Sequence, residues 1–180
     1  QPTHIANLNI LPATPDLAGA AIELMDQPYR EYRLRRGLKT LHEHFEFILV
    51  DCPPSLGLLT VNSLAAANKV LIPVQCEYYA LEGLNQLLTT IDLVRKHLNP
   101  HLQVLGAVLT MYDRRTALNR KIMREVRRTF PGHVFDSVIP RNTELAEAPA
   151  QGVTILEYDK HSRGAKAYEY LSEEVLNLYV

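Results

Sequence analysis

Short apolar stretches alternate along the chain with longer stretches in which apolar residues recur at helical spacing. Short apolar runs are typical of buried strands, and the longer pattern is typical of amphipathic helices. The predicted strands are residues 8–11, 45–51, 69–74, 103–111 and 133–139. The predicted helices are residues 16–25, 30–44, 60–67, 81–98, 117–130 and 162–178. Strands that alternate with helices predict an α/β fold, with a doubly wound, mostly parallel sheet and helices on both faces.

The second predicted strand ends in an aspartate. The run FEFILVDCPPSLG, residues 45–57, is mainly apolar up to Asp51 and then passes into a Pro-Pro-Ser turn. A strand buried on both faces of a parallel sheet places Asp51 at the carboxyl edge, where open α/β sheets bind ligands. A carboxylate at that edge can hold Mg²⁺ through a water molecule beside nucleotide phosphates. The alternative interpretation is an aspartate that only caps the following turn.

The glycine-rich loop that would complete such a phosphate site is absent from these 180 residues. No G-x-x-x-x-G-K-[ST] motif occurs, and the eight glycines are scattered singly. In such a loop the backbone N–H groups surround the phosphate oxygens and the lysine supplies positive charge. The sequence therefore predicts the metal side of a nucleotide site without its phosphate cradle.

The last two predicted strands end in turns that suit a nucleotide base. These turns are TMYDRRT at residues 110–116 and IPRN at residues 139–142. A flat base can lie between the thioether of Met111 and the ring of Pro140, while Asn142 hydrogen-bonds to the edge of the base. Because TMYD lacks the Asn and Lys of guanine-binding loops, adenine is the predicted base. The alternative for each loop is ordinary turn chemistry.

Composition indicates one soluble domain spanning residues 1–180. The chain is 47% hydrophobic and 22% charged, with a net charge of −1, which is ordinary globular usage. No apolar stretch reaches the roughly 18 residues of a membrane span, and no signal peptide is recognisable, so a cytoplasmic protein is expected. Cys52 and Cys76 are expected to be buried thiols.

The segment from Asp113 to Arg128 is strongly basic. Seven Lys or Arg residues stand against two acidic residues, which gives a local charge of +5. On a helical projection Leu118, Ile122, Val126 and Phe130 form an apolar stripe. The opposite side carries the cations Arg120, Lys121, Arg124, Arg127 and Arg128. A one-signed face beside a nucleotide loop suits binding to a phosphate backbone, and the alternative is a charged face that only meets solvent.

Six segments of the chain form a distinctive series. They are LPATPDLAGA, ILVDCPPSLG, VQCEYYALEGL, TMYDRRT, IPRNTELAEAP and LEYDKHSRGAKAY. In this order and spacing they resemble the ParA/Soj chromosome- and plasmid-partitioning ATPases, relatives of MinD with a deviant Walker A loop. The resemblance covers essentially the whole chain. It implies a P-loop NTPase-like sheet, ATP or ADP with Mg²⁺ in a sandwich homodimer, ATP-dependent nonspecific DNA binding, and slow hydrolysis stimulated by a ParB/Spo0J-type partner.

The resemblance also implies roles for single residues. It makes Asp51 the catalytic Walker B acid and the Mg²⁺ carboxylate, within a switch II segment at residues 51–57. It places residues 75–83 toward the dimer interface, with Glu77 and Glu82 as contacts across it. The residues that it places near the adenine are Met111, Pro140, Arg141 and Asn142.

For DNA binding, the resemblance singles out Arg115 and adds Arg163 and Lys166. Many relatives carry an arginine where this chain has Glu144, so DNA binding is expected to be weaker or differently placed. The carboxyl-terminal run YEYLSEEVLNLYV is acidic. This argues against the basic amphipathic helix of a membrane-positioning ATPase.

The family's phosphate loop precedes the segment that matches Gln1, so the chain resembles the carboxyl-terminal two-thirds of a ParA-type protein. These residues alone are expected to bind no nucleotide and to lack hydrolysis, because phosphoryl transfer depends on groups positioned around the phosphates. Unpaired strand edges and an uncovered apolar patch are also expected. The alternative function is a non-enzymatic DNA- or protein-binding module of the same fold.

Overall fold

The computed structural model of the protein describes residues 1–179. Its centre is a parallel sheet of three strands in the order β1-β2-β3. The strands are β1 (Lys69–Gln75), β2 (Gln103–Tyr112) and β3 (Val134–Pro140). The longer helices are α3 (Leu58–Ala66), α4 (Ala80–His97), α5 (Ala117–Thr129) and α8 (Arg163–Asn177). The short helices are α1 (Ala20–Glu23), α2 (Arg33–Leu38), α6 (Thr143–Glu147) and α7 (Ile155–Asp159), with 3₁₀ turns at Pro15–Gly19, Arg30–Tyr32 and Ala148–Gln151.

Helices cover both faces of the sheet. Side chains alternate along a strand, so neighbouring residues of β2 enter different cores. Ala107 and Leu109 pack with α3, α4 and α5, whereas Val108 packs with Leu171 of α8. The predicted α/β class, with a parallel sheet between helical layers, is confirmed.

A carboxylate from α8 occupies the outer edge of β3. Glu174 accepts hydrogen bonds from the backbone N–H groups of Asp136 (2.8 Å) and Ser137 (2.7 Å) and from the Ser137 hydroxyl. Burial alone would raise the pKa of Glu174, but these donors outweigh it and lower the pKa. The outer edge of β3 is therefore partly closed by the chain's own side chain.

The predicted strands at residues 8–11 and 45–51 are wrong. Residues 45–51 form no ladder, and around residues 8–11 the only pairing among the described residues is an isolated antiparallel bridge between Pro2 and Asn9. Apolar content and β-propensity favour a strand, but a strand also needs a neighbour for its hydrogen bonds. β1 is the last strand on that side of the sheet.

These unpaired segments leave apolar side chains in solvent, as the sequence predicts for an uncovered patch. Leu11 is 77% exposed and Leu49 is 93% exposed. Phe47 does find a neighbour, because its ring meets that of Tyr179 edge-on at 5.3 Å, and the Lys69 ammonium lies 3.9 Å from the same tyrosine ring. Segment 45–51 therefore begins beside the amino end of β1 without joining the sheet.

The other predicted elements agree with the structure within two residues, except at the amino-terminal helices. Helix 16–25 is reduced to a 3₁₀ turn followed by α1, and helix 30–44 ends at Leu38. Gly37 and Thr40 have weak helix propensity, and no long apolar stripe compensates for them. Cys76 is buried as expected, whereas Cys52 is exposed.

Candidate nucleotide and DNA site

The carboxyl ends of the three strands meet at one edge of the sheet because the strands are parallel. Three loops leave this edge, at residues 76–79, 113–116 and 141–142. These loops and the ends of the elements beside them carry the predicted interface segment, the predicted DNA contact Arg115 and the predicted adenine contacts. The structure thus brings most of the predicted site residues to one end of the sheet.

A buried asparagine that sequence analysis missed joins two of these loops. Asn119, only 8% exposed, donates from Nδ2 to the carbonyl oxygen of Cys76 (2.6 Å) and accepts at Oδ1 from the N–H of Asp113 (2.7 Å). The sequence feature that could have identified Asn119 is its spacing from Ile122 and Val126, which places it on the buried stripe of α5. Leu118, predicted for that stripe, is instead 40% exposed.

The adenine side of the predicted site lies at the ends of β2 and β3. Tyr112 pairs with Pro140, and the N–H of Arg141 donates to the carbonyl oxygen of Tyr112 at 3.0 Å. Met111 has a φ of +53°, a left-handed conformation that is uncommon for a residue other than glycine. Such conformations concentrate at binding sites. Met111 therefore lies next to the Tyr112–Pro140 pair at the edge of the sheet.

Asn142 begins helix α6. Its Oδ1 accepts from the N–H of Leu145 at 3.3 Å, so the side chain is the N-cap of the helix. The cap uses one lone pair of Oδ1, and the Nδ2 group of Asn142 makes no hydrogen bond within residues 1–179. Two donors are therefore left for a ligand at this position.

Helix α8 packs against this cap through a glycine. A Cβ built on Gly164 would lie 2.5 Å from Cγ of Leu145 and 2.7 Å from Oδ1 of Asn142. Ser162 caps α8, accepting from the N–H of Ala165 at 3.0 Å. Sequence analysis did not identify Gly164 as a site residue, although it lies within the SRG part of the last motif.

Arg115 forms an ion pair within its own loop. Its Nη2 lies 2.9 Å from Oδ2 of Asp113, and its Nε lies 3.1 Å from Oδ1. The side-chain hydrogen bond from Arg115 is the main cause of an Asp113 pKa of about 2, and its backbone N–H adds to it. Asp113 therefore stays charged at neutral pH.

The predicted interface residues differ in their surroundings. Glu77 pairs with Arg141 at 3.0 Å, which links the loops after β1 and β3. Glu82 lines an open cleft of about 620 Å³ between the starts of α4 and α5, together with Lys121 and an exposed, edge-to-face pair of tyrosines, Tyr78 and Tyr79. One predicted interface carboxylate is thus already paired inside the chain.

Asp51 is not part of the sheet edge that gathers the other predicted residues. It is exposed and follows the unpaired segment 45–50. The turn after it is held by Thr60, whose hydroxyl donates to the carbonyl oxygens of Ser55 (2.5 Å) and Pro53 (3.4 Å). The predicted adenine contacts therefore lie at the sheet edge, whereas the predicted metal-side carboxylate lies in a segment that forms no strand.

The predicted basic face of α5 is present. The exposed cations along it are Arg120, Lys121, Arg124, Arg127 and Arg128. Arg128 pairs with Glu125 at 2.6 Å, and Arg120 donates to the carbonyl oxygen of Arg114. The predicted contacts Arg163 and Lys166 are also exposed, but α8 packs on the opposite face of the sheet.

Residues 1–179 contain neither a membrane-spanning helix nor a cluster of metal ligands. No helix there has the length and apolarity needed to span a bilayer. Nor does any cluster of three or more carboxylate, imidazole or thiol side chains have the arrangement of a metal site.

Comparison with known proteins identifies the family. Residues 1–104 match the family model described as AAA domain. The chain is 53% identical over 173 residues to the sporulation initiation inhibitor protein Soj of Bacillus subtilis, and 51% identical over 175 residues to the chromosome partitioning protein ParA of Myxococcus xanthus. These alignments cover 96% and 97% of this chain, and 68% and 62% of the relatives, so the chain spans about two thirds of their length.

A solved structure has the same architecture. It is cobyrinic acid a,c-diamide synthase from Mycobacterium smegmatis with bound ADP and magnesium. The TM-score is 0.79 at 38% identity, and the match covers 94% of this chain and 62% of that chain. With about half of the aligned residues identical to Soj across nearly the whole of this chain, and with a sheet of the P-loop NTPase type, the chain belongs to the ParA/Soj family of chromosome-partitioning ATPases.

Proposed function

We propose that this chain is part of an ATPase that partitions DNA, binding DNA without sequence preference through α5 and Mg-ATP at the carboxyl edge of the sheet. The observation that carries the proposal is the charge of α5. Its buried side packs Ile122 and Val126 into the core, and its solvent side presents cations along a helix that begins at the nucleotide edge. A surface of one sign that follows a helix is suited to the evenly spaced phosphates of a duplex.

Arg115 belongs to this surface because it lies in the loop that leads into α5. Arg163 and Lys166 lie on α8, whose first turn packs against Asn142. They share the carboxyl end of the sheet with Arg115 but not its face. We therefore rank them below the α5 cations as DNA contacts. Glu144 of α6 also lies at this end of the sheet. Because a carboxylate there repels DNA phosphates, its position fits a contact surface centred on α5.

Nucleotide binding is the second part of the proposal. Met111 and Pro140 are adjacent at the sheet edge, and Asn142 has donors for the base, so these residues fit an adenine ring. A relative of 38% identity holds ADP and magnesium, which supports the same ligands here. We assign Asp51 to Mg²⁺ through a water molecule. That role requires segment 45–51 to take its place in the sheet, so Asp51 is the residue that binding must reposition.

Dimerisation and partners complete the proposal. The exposed tyrosines and Glu82 make the start of α4 the surface for a second copy of the chain. Glu77 can reach across such an interface only by leaving Arg141. We also propose a ParB/Spo0J-type partner and a cytoplasmic, nucleoid-associated location, in keeping with the chromosome-partitioning role in the relative's name.

Charge reversal tests DNA binding. We expect the double variant Arg115→Glu, Arg127→Glu to weaken binding to duplexes of unrelated sequence equally, by at least about tenfold, and to lower the slope of log K against log salt by about 2. The measurement is a salt titration of DNA binding with the nucleotide-loaded full-length protein. The matched control is Lys39→Glu, Lys96→Glu, which changes the net charge equally on exposed residues outside α5. Equal losses in both variants, or none in either, would contradict this surface.

A phosphate-release assay tests the catalytic part. We expect residues 1–180 on their own, mixed with Mg-ATP, to release no phosphate above background, because no phosphate-cradling loop occurs in this sequence. Phosphate release at the rate of full-length Soj would contradict this prediction.

The second candidate function, a DNA- or protein-binding module without ATPase activity, is favoured by the position of Asp51 outside the sheet. It predicts DNA binding that is unchanged when ATP is added to the full-length protein.

A further inference from the structure

We propose that Asp113 sets the DNA affinity of this protein by holding Arg115 in an internal ion pair that a DNA phosphate must replace. The inference rests on the proposed DNA-binding function.

The Arg115–Asp113 pair has the geometry with which an arginine binds a phosphate group. Two nitrogens of Arg115, Nε and Nη2, face the two carboxylate oxygens of Asp113 at 3.1 and 2.9 Å. A guanidinium binds two oxygens of a phosphate with the same planar, two-pronged arrangement. Arg115 therefore cannot offer that pair of donors to DNA while it offers them to Asp113.

The two partners differ in exposure. The Arg115 side chain is 86% exposed, whereas that of Asp113 is 25% exposed. A phosphate that approaches from solvent thus meets the guanidinium before it meets the carboxylate. The contact can be exchanged from the solvent side without unfolding the loop.

Asp113 is fixed more firmly than Arg115. Its N–H is held by buried Asn119 at 2.7 Å, and its Oδ1 accepts the N–H of Arg115 at 2.9 Å. When the Arg115 side chain swings outward, these two backbone contacts keep the carboxylate in place. Asp113 is then ready to recapture the arginine when DNA leaves.

Most other cations of the surface have no such competitor. Within residues 1–179, no carboxylate oxygen lies within 4.0 Å of a charged nitrogen of Lys121, Arg124 or Arg127. Arg128 is paired with Glu125, one turn along the same helix. The loop pair therefore acts on a residue of the loop between β2 and α5, which leaves the carboxyl edge of the sheet.

Protonation does not open the pair near neutral pH. The pKa of Asp113 is about 2, lowered first by the Arg115 side chain and then by its backbone N–H. A lowered pKa keeps the carboxylate charged throughout the neutral and mildly acidic range. Release accordingly depends on the competing phosphate and on salt.

The test is Asp113→Asn in the full-length protein. Asparagine keeps an oxygen for the Arg115 N–H and leaves the backbone contact with Asn119, so the loop is retained while the charge is lost. At low salt we expect about two- to fivefold tighter binding to a mixed-sequence duplex, the range for an exposed ion pair. The gain should vanish in an Arg115→Gln background. The charge-matched control Asp92→Asn, on α4, should give no gain.

The outcomes separate the inference from the proposed function. An equal gain with and without Arg115 would show a general effect of charge and overturn the inference, as would no gain at all. If Arg115→Gln alone leaves DNA binding unchanged, the proposed contact itself fails. If Arg115→Gln weakens binding and Asp113→Asn does not strengthen it, only the inference fails. Unfolding temperatures within the error of the unmodified protein would exclude a folding defect in either variant.

Discussion

Replacing Gly164 by alanine is expected to destabilise the fold by about 2–3 kcal/mol, the upper part of the range for overpacking a filled core. The added Cβ would lie 2.5 Å from Cγ of Leu145 and 2.7 Å from Oδ1 of Asn142, closer than real contacts allow. Relief of the clash must displace the Leu145 and Asn142 side chains, which disturbs the cap of α6, or move α6 away from α8. The free energy of unfolding in urea gives the loss, and a lower affinity of the full-length protein for adenine nucleotides would report the displaced cap.

Gly83→Ala is the matched control. Gly83 lies in α4, and its added Cβ meets nothing within 4 Å. There the same substitution should stabilise the helix by about 0.5–1 kcal/mol, since glycine is the less favourable helix residue. If Gly164→Ala were as stable as Gly83→Ala, the close packing of α8 on α6 would be refuted.

Asn119→Ala is expected to cost about 2–4 kcal/mol. The substitution removes both hydrogen bonds of a buried amide and leaves the Cys76 carbonyl and the Asp113 N–H without their partner. Each buried polar group left unpaired costs about 1–3 kcal/mol. Urea unfolding measures the loss. Hydrogen exchange should show faster exchange of the Asp113 amide than in the unmodified protein.

Asn85→Ala provides the comparison for this change. Asn85 lies on the exposed side of α4, and its side chain makes no hydrogen bond within the described residues. We expect its effect to stay within about 0.5 kcal/mol. A loss for Asn119→Ala no larger than that for Asn85→Ala would mean that Asn119 does not tie the two loops together.

The parts of the fold with strong local patterns could be predicted from the sequence. β1, β2 and β3 lie within one residue of their predicted bounds, because each is a continuous apolar run that finds a neighbour. The run at residues 45–51 is as apolar, yet it forms no strand. The local pattern of apolar residues indicates that a segment prefers the strand conformation. A ladder of hydrogen bonds also depends on a second segment elsewhere in the chain. Helix α7 was missed although its capping box, Thr154 with Glu157, is readable as T-x-x-E.

The candidate site was predictable where it depends on topology alone. Parallel strands bring Met111, Pro140 and Arg115 to one edge, and the structure agrees. Side-chain partnerships were not predictable, because they depend on distances of a few ångströms between separate loops. Asn119, the Asp113 pairing of Arg115 and the Glu77 pairing of Arg141 all belong to this class.

The Glu174 carboxylate determines at which edge the sheet can gain a further strand. It occupies two backbone donors in the middle of β3, so a further strand that docks there must first displace a charged side chain. Among residues 1–179, no carboxylate accepts a hydrogen bond from the backbone of β1, and Leu71 on that strand is 37% exposed. The sheet is therefore open to a further strand at its β1 edge only. Any added strand, from the same chain or another, meets its open position beside β1 and not beside β3.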